Sequence, residues 1–147
     1  MKKIIILAPM FLTASCTSVN VKSVDLAKNS IEPICIIENP SVIVPNFLTI
    51  LKNGIKRQNI DVKIVSETDE TCKSVLTYTA TRSWDITPYL SHAELRLTTN
   101  EGEEVGKATY HHNGGSVSLA PNKWNSAESK MAPVIDELFA GMPSNKN

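Results

Sequence analysis

From Lys73 to His112 the chain alternates apolar and polar side chains through three successive runs. Leu76, Tyr78 and Ala80 interleave with Thr77, Thr79 and Thr81. Ala93, Leu95 and Leu97 interleave with His92, Glu94 and Arg96, and Ala108 and Tyr110 with Lys107 and Thr109. A period of two is the mark of strands that send successive side chains to opposite faces. The three runs, Lys73 to Asp85, Tyr89 to Thr99 and Glu104 to His112, are joined by short polar segments, with a hairpin at Asn100 to Glu103 around Gly102. They predict an antiparallel meander with one apolar and one polar face. An apolar sheet face must be covered, and that requirement limits what the rest of the chain can be.

Two segments have the periodicity to cover it. Between Val44 and about Asn59, Phe47, Ile50, Leu51, Gly54 and Ile55 recur at three and four, one face of a helix. Pro45 suits its first turn, and Lys52, Lys56 and Arg57 suit its C-terminal half. Gly54 on the apolar face is expected to let this helix approach the sheet closely. A second helix is predicted from about Ser126 to Phe139, with Met131, Val134, Ile135 and Leu138 as its stripe. Asn125 with Glu128 three residues later reads as its cap, Pro133 predicts a kink, and Gly141 and Pro143 end it. Trp84 falls on the Leu76 side of its strand and is expected in the core, an exposed binding aromatic being the alternative for it and for Trp124. Trp124 is placed to staple the start of the last helix.

Ile34 to Ile37, bounded by Pro33 and Asn39-Pro40, reads as a buried strand, and Val62 to Val65 as another. Strand, helix, strand in that order predicts a parallel pair with a right-handed crossover. The whole is an α+β two-layer sandwich: a mixed sheet of about five strands in the order β-α-β-β-β-β-α, with two helices on one face. Thr17 to about Ser30 is polar and reads as a tether, although Val19, Val21 and Val24 could make a short edge strand.

The first 15 residues carry a different message. Lys2 and Lys3 precede an apolar run from Ile4 to Leu12, and Thr13-Ala14-Ser15 leads to Cys16. A basic start, a short apolar run and small residues before a cut make a secretory leader. The run is shorter than the roughly 20 residues that span a bilayer, and Pro9 interrupts it. The ending resembles the bacterial lipobox, with Thr13 in place of the more usual leucine. Cys16 is then the lipidated first residue of the mature chain; an ordinary cut that leaves Cys16 a spare thiol is the alternative. Each buried methylene contributes about 0.8 kcal/mol, so a diacylglyceryl group with an N-acyl chain such as palmitate anchors stably. Thr17 after the cysteine, by resemblance to Gram-negative sorting signals, implies the outer membrane. The organisation read is residues 1–15 leader, 16–30 lipidated N-terminus and tether, 31–142 one domain, and 143–147 a polar tail.

Assigning Cys16 to lipid leaves two of the three cysteines, Cys35 and Cys72. In an oxidising compartment such a pair predicts a structural disulfide. No CxxC motif is present, and no His/Cys partner suggests a metal. The chain has 15 basic and 15 acidic residues; without Lys2 and Lys3 the net charge is about −2. No basic patch or tail stands out, so nucleic acid is not an expected partner.

No catalytic constellation emerges, and neither a cofactor nor a metal is expected. His111 and His112 point to opposite faces, so only His111 can join His92 and Glu94. Asn113-Gly114-Gly115-Ser116 lacks the lysine and helix of a phosphate loop and reads as a turn. Ser116 and Ser118 lie near histidines in sequence without a third group. Asp136 and Glu137 are adjacent on a helix and do not face each other. What remains is the polar sheet face, Thr77, Thr79, Thr81, His92, Glu94, Arg96, Lys107 and Thr109, as a possible interaction surface.

Several segments together, Cys16-Thr17-Ser18-Val19, Ile34-Cys35-Ile36-Ile37 with Asn39-Pro40, Cys72 leading into Tyr78-Thr79-Ala80 and Ser83-Trp84-Asp85, and Lys130 to Leu138, resemble a family of small Gram-negative bacterial lipoproteins. The resemblance spans nearly all the mature chain. The element order is also similar to the N-terminal domain of TolB and to certain envelope-assembly lipoproteins. These resemblances imply a lipoprotein of the envelope with an α+β fold, and they bring no catalytic residues. The expected function is a non-enzymatic, periplasm-facing accessory or binding component. Its partners are the lipid bilayer through acylated Cys16 and an envelope protein or peptidoglycan. A small-ligand or metal-binding module is the alternative, and a hydrolase built on Ser116 with His111 or His112 a third.

Overall fold

The computed structural model describes residues 17–25, 27–112 and 122–141. The leader, Cys16, the Gly114 segment with Ser116 and Ser118, and the polar tail lie outside the described residues. Eight elements follow in order: β1 (Thr17–Lys22), β2 (Ile34–Ile37), α1 (Phe47–Arg57), β3 (Val62–Val65), β4 (Ser74–Asp85), β5 (Thr87–Thr99), β6 (Glu104–His112) and α2 (Ala127–Leu138). The fold is α+β with one mixed sheet of six strands in the order β1-β6-β5-β4-β2-β3. β4, β5 and β6 form the antiparallel meander, and β2 lies parallel to both β3 and β4.

The sixth strand corrects the reading of 16–30 as a tether. Thr17–Lys22 pairs antiparallel with β6 over its whole length, Thr17 opposite His112 and Lys22 opposite Lys107. Val24, just beyond, is buried in the core, and its N–H donates to the Leu138 carbonyl at 2.8 Å. The domain therefore begins at Thr17 and not at residue 31. An edge strand half open to solvent has little apolar patterning to show in sequence.

Leu76, Tyr78 and Ala80 from β4, Ala93, Leu95 and Leu97 from β5 and Ala108 and Tyr110 from β6 share one core with both helices. Phe47, Leu51 and Ile55 enter it from α1, and Met131, Val134, Ile135 and Leu138 from α2. Gly54 serves the helix–helix contact and not, as expected, the sheet. A Cβ on it would lie 2.7 Å from Ile135 Cδ1. The α2 cap is Ser126, one residue later than expected, with Ser129 N–H donating to its Oγ at 3.1 Å. The helix runs through Pro133 as a single element.

Cys35 and Cys72 are joined by a disulfide. Cys35 alternates with Ile34 and Ile36, so the bridge lies on the sheet face away from the main core. There it makes a small second cluster with Val75, Ile37 and Val65. Trp84 departs from expectation: it is 73% exposed. Pairing shifts register between Thr81 and Arg82, and the hairpin beyond that irregularity extends past the core. Among the described residues no helix is long and apolar enough to cross a membrane.

Candidate interaction surfaces

The register brings the predicted polar face together in three rows. Thr77 lies opposite Arg96 and Arg96 opposite Lys107; Thr79, Glu94 and Thr109 form the next row; Thr81, His92 and His111 the third. Its charges largely answer one another. Arg96 Nη2 lies 3.1 Å from Glu94 and Nη1 3.6 Å from Glu104, while Lys107 reaches Glu94 at 3.5 Å and Lys22 reaches Glu104 at 3.8 Å. The hydrogen bond from Arg96, with Lys107 nearby, holds the Glu94 carboxyl below the usual range. Exposed pairs like these contribute little stability each, about 0–1 kcal/mol.

His92 and His111 stand edge to face with ring centroids 5.6 Å apart on this surface. Glu94, the acid that would complete a metal set, is engaged by Arg96 and Lys107. No group of three or more metal-ligating side chains occurs among the described residues. His112 turns the other way and is buried. The histidines of a supposed hydrolase are thus separated, and Ser116 lies outside the described residues.

The sequence did not single out a second cluster, at the sheet end that carries the β4–β5 hairpin. Lys123 is fully buried and pairs with the Asp85 carboxylate. Lys130, also buried, donates to the carbonyls of Leu90 and Lys123. Both ammonium groups stand over the Tyr89 ring, at 4.9 Å for Lys123 and 5.5 Å for Lys130. Trp124 Nε1 donates to the Asp85 carbonyl at 3.1 Å. Together these contacts tie the hairpin to the start of α2. Lys130 lies three residues after Ala127 and four before Val134, on the apolar stripe of α2. A lysine at a core position was the available signal.

His112 packs edge-on against Tyr89, centroid to centroid 5.5 Å. Its Nδ1 lies 3.4 Å from Thr17 Oγ1, and its Nε2 is buried with no hydrogen-bond partner among the described residues. Burial, then the nearby Lys130, Lys123 and His111, push its pKa down from 6.5. Burial likewise lowers the pKa of Lys130. Beside the hairpin a groove of about 500 Å³ opens between the start of α1, Arg82, Pro88 and Trp124.

The chain matches no known protein-family profile. No curated protein matches it. Among solved structures it is similar to the PelC dodecamer from Paraburkholderia phytofirmans: 20% identity, TM-score 0.59, covering 83% of this chain and 98% of that one. A variant of that protein with one leucine replaced by methionine gives 18% identity, TM-score 0.53, and coverage of 80% and 96%. At these identities the likeness is one of fold alone.

Proposed function

We propose that this protein is an outer-membrane lipoprotein, anchored through Cys16 and facing the periplasm, that acts as a non-enzymatic binding or accessory component of the envelope. The observation that carries the reading is the join between leader and fold. The lipobox-like cysteine stands immediately before β1, so the folded domain starts where the anchor ends. The Cys35–Cys72 bridge suits an oxidising compartment. With both helices on one side of the sheet, the polar face of Thr77, Thr79, Thr81, His92, Glu94, Arg96, Lys107 and Thr109 is left to meet a partner. That partner is an envelope protein, peptidoglycan or a further copy of this chain. The dodecameric state of the similarly folded PelC motivates including the last.

The test is photo-crosslinking in intact cells, with the reactive group placed in the full-length protein at Thr79, at Arg96 or, as a control, at Glu137 on α2. A specific adduct from the face positions alone supports the proposal. A ladder of homo-oligomers would identify the partner as the chain itself. Equal, diffuse or absent adducts at all three positions would contradict it.

A further inference from the structure

We infer that the tip of the β4–β5 hairpin, Trp84 with Ile86, rests in the interfacial layer of the bilayer that holds the Cys16 lipid; this rests on the anchoring proposed above.

The topology puts anchor and hairpin at one end of the sheet. Ser18 lies opposite His111, His111 opposite His92, and His92 opposite Thr81, so these four residues form one row across four strands. Thr17 is the next residue outward on β1, with Cys16 following. On β4 the chain continues outward from Thr81 to Trp84 and turns at Ile86. At about 3.3 Å per residue, Trp84 reaches about 10 Å beyond the row and Thr17 about 3 Å. Three strand spacings separate β1 from β4, about 14 Å. A lipid on Cys16 therefore brings the bilayer surface to the level of the hairpin tip, with no tether to hold it away.

The tip has the chemistry of a membrane contact. Trp84 is 73% exposed and Ile86 is 79% exposed, the two most exposed large apolar side chains of the described residues. Tryptophan concentrates at the membrane–water boundary, where an apolar ring with a polar N–H is half wetted. Arg82, exposed on the same hairpin two residues before Trp84, adds a guanidinium that can pair with lipid phosphates. The tip is also braced. Asp85, between Trp84 and Ile86, is held by Lys123 through its carboxylate and by Trp124 through its carbonyl. Ile86 itself sits at φ 58°, a conformation that β-branched residues avoid. A turn that needed only to reverse the chain would be better served by glycine.

The test uses the full-length lipidated protein in vesicles of phosphatidylethanolamine and phosphatidylglycerol. Of the two tryptophans, Trp124→Phe leaves only Trp84. Its emission should shift to the blue on reconstitution. It should also lose most of its intensity when the vesicles contain lipids brominated near the headgroup end of the acyl chain. Should that variant fail to fold, the difference between wild type and Trp84→Phe reads the same signal. An acylated protein that floats with the vesicles, while Trp84 stays unquenched, overturns the inference and leaves the anchor standing. A blue shift without bromine quenching overturns it too, since it places the hairpin against protein. A chain that carries no lipid and does not float overturns anchor and inference together.

Discussion

Ile135 of α2 occupies the space that any side chain at position 54 of α1 would need. A Cβ there would lie 2.7 Å from Ile135 Cδ1 and 3.1 Å from its Cγ2, and Ile135 is fully buried. Gly54→Ala gains roughly 1 kcal/mol in helix propensity. Overpacking costs typically about 1–3 kcal/mol. A net loss of about 1 kcal/mol is expected in urea denaturation. Ile135→Val removes the atom in closest conflict, so the double variant should be less destabilised than the sum of the two single ones.

The Cys35–Cys72 bridge spans a sequence separation of 37. The loop-entropy relation gives about 3–4 kcal/mol for a closure of this length. Replacing both cysteines by alanine should lower unfolding stability by about that amount. The wild type in reductant should approach the variant. A thiol count on the denatured, unreduced protein should find neither Cys35 nor Cys72 reactive.

His112 gives stability a dependence on pH. Burial above all, then Lys130, Lys123 and His111, hold its pKa below 6.5 in the folded state. As pH falls through about 6.5 the unfolded chain binds the proton first, so stability drops until the lower folded value is passed. Above that window the ring is neutral in both states and adds no slope. Tyr110, which also faces this cluster, has its hydroxyl pKa pushed up by burial and stays uncharged there. His112→Gln should flatten the fall in stability between about pH 7 and about pH 5. Carboxylates such as Glu94, lowered by Arg96, act further into acid and remain in both proteins.

Ile86 carries backbone strain with no packing to offset it. At φ 58° and 79% exposed, it should be replaceable by glycine with a gain of about 1 kcal/mol, visible as a higher melting temperature. Where the hairpin meets the bilayer, Ile86→Gly should also release the protein from vesicles more readily. An unchanged or lower melting temperature would mean that the turn is not strained.

The strands of the meander were legible because each buries one face, which enforces alternation from Val75 to Tyr110. Both helices were legible from their three-and-four spacing. β1 was only half legible: Val19, Val21 and Val24 marked a possible edge strand, but its side chains are mostly exposed and its place comes from pairing with β6. Trp84 was misplaced because alternation assigns a face and not its cover: the extra residue at the shift is Ser91 on β5, so Trp84 keeps the Leu76 side, opposite Pro88, where the hairpin has run past the core. Gly54 showed that a close approach was needed but not to which neighbour. The polar face was readable residue by residue, whereas the Lys123, Lys130, Tyr89 and His112 cluster was not. Its members come from three segments that only the fold brings together.

The central claim is that Cys16 is the anchor. The most direct measurement is the intact mass of the protein extracted from membranes of cells making the full chain, beside its Cys16→Ser counterpart. The account predicts a chain that starts at Cys16 and carries a diacylglyceryl and an acyl group, and a Cys16→Ser protein that loses both the lipid mass and its place in the outer-membrane fraction. A mature chain with an unmodified Cys16, recovered from the soluble fraction like the serine variant, would contradict it.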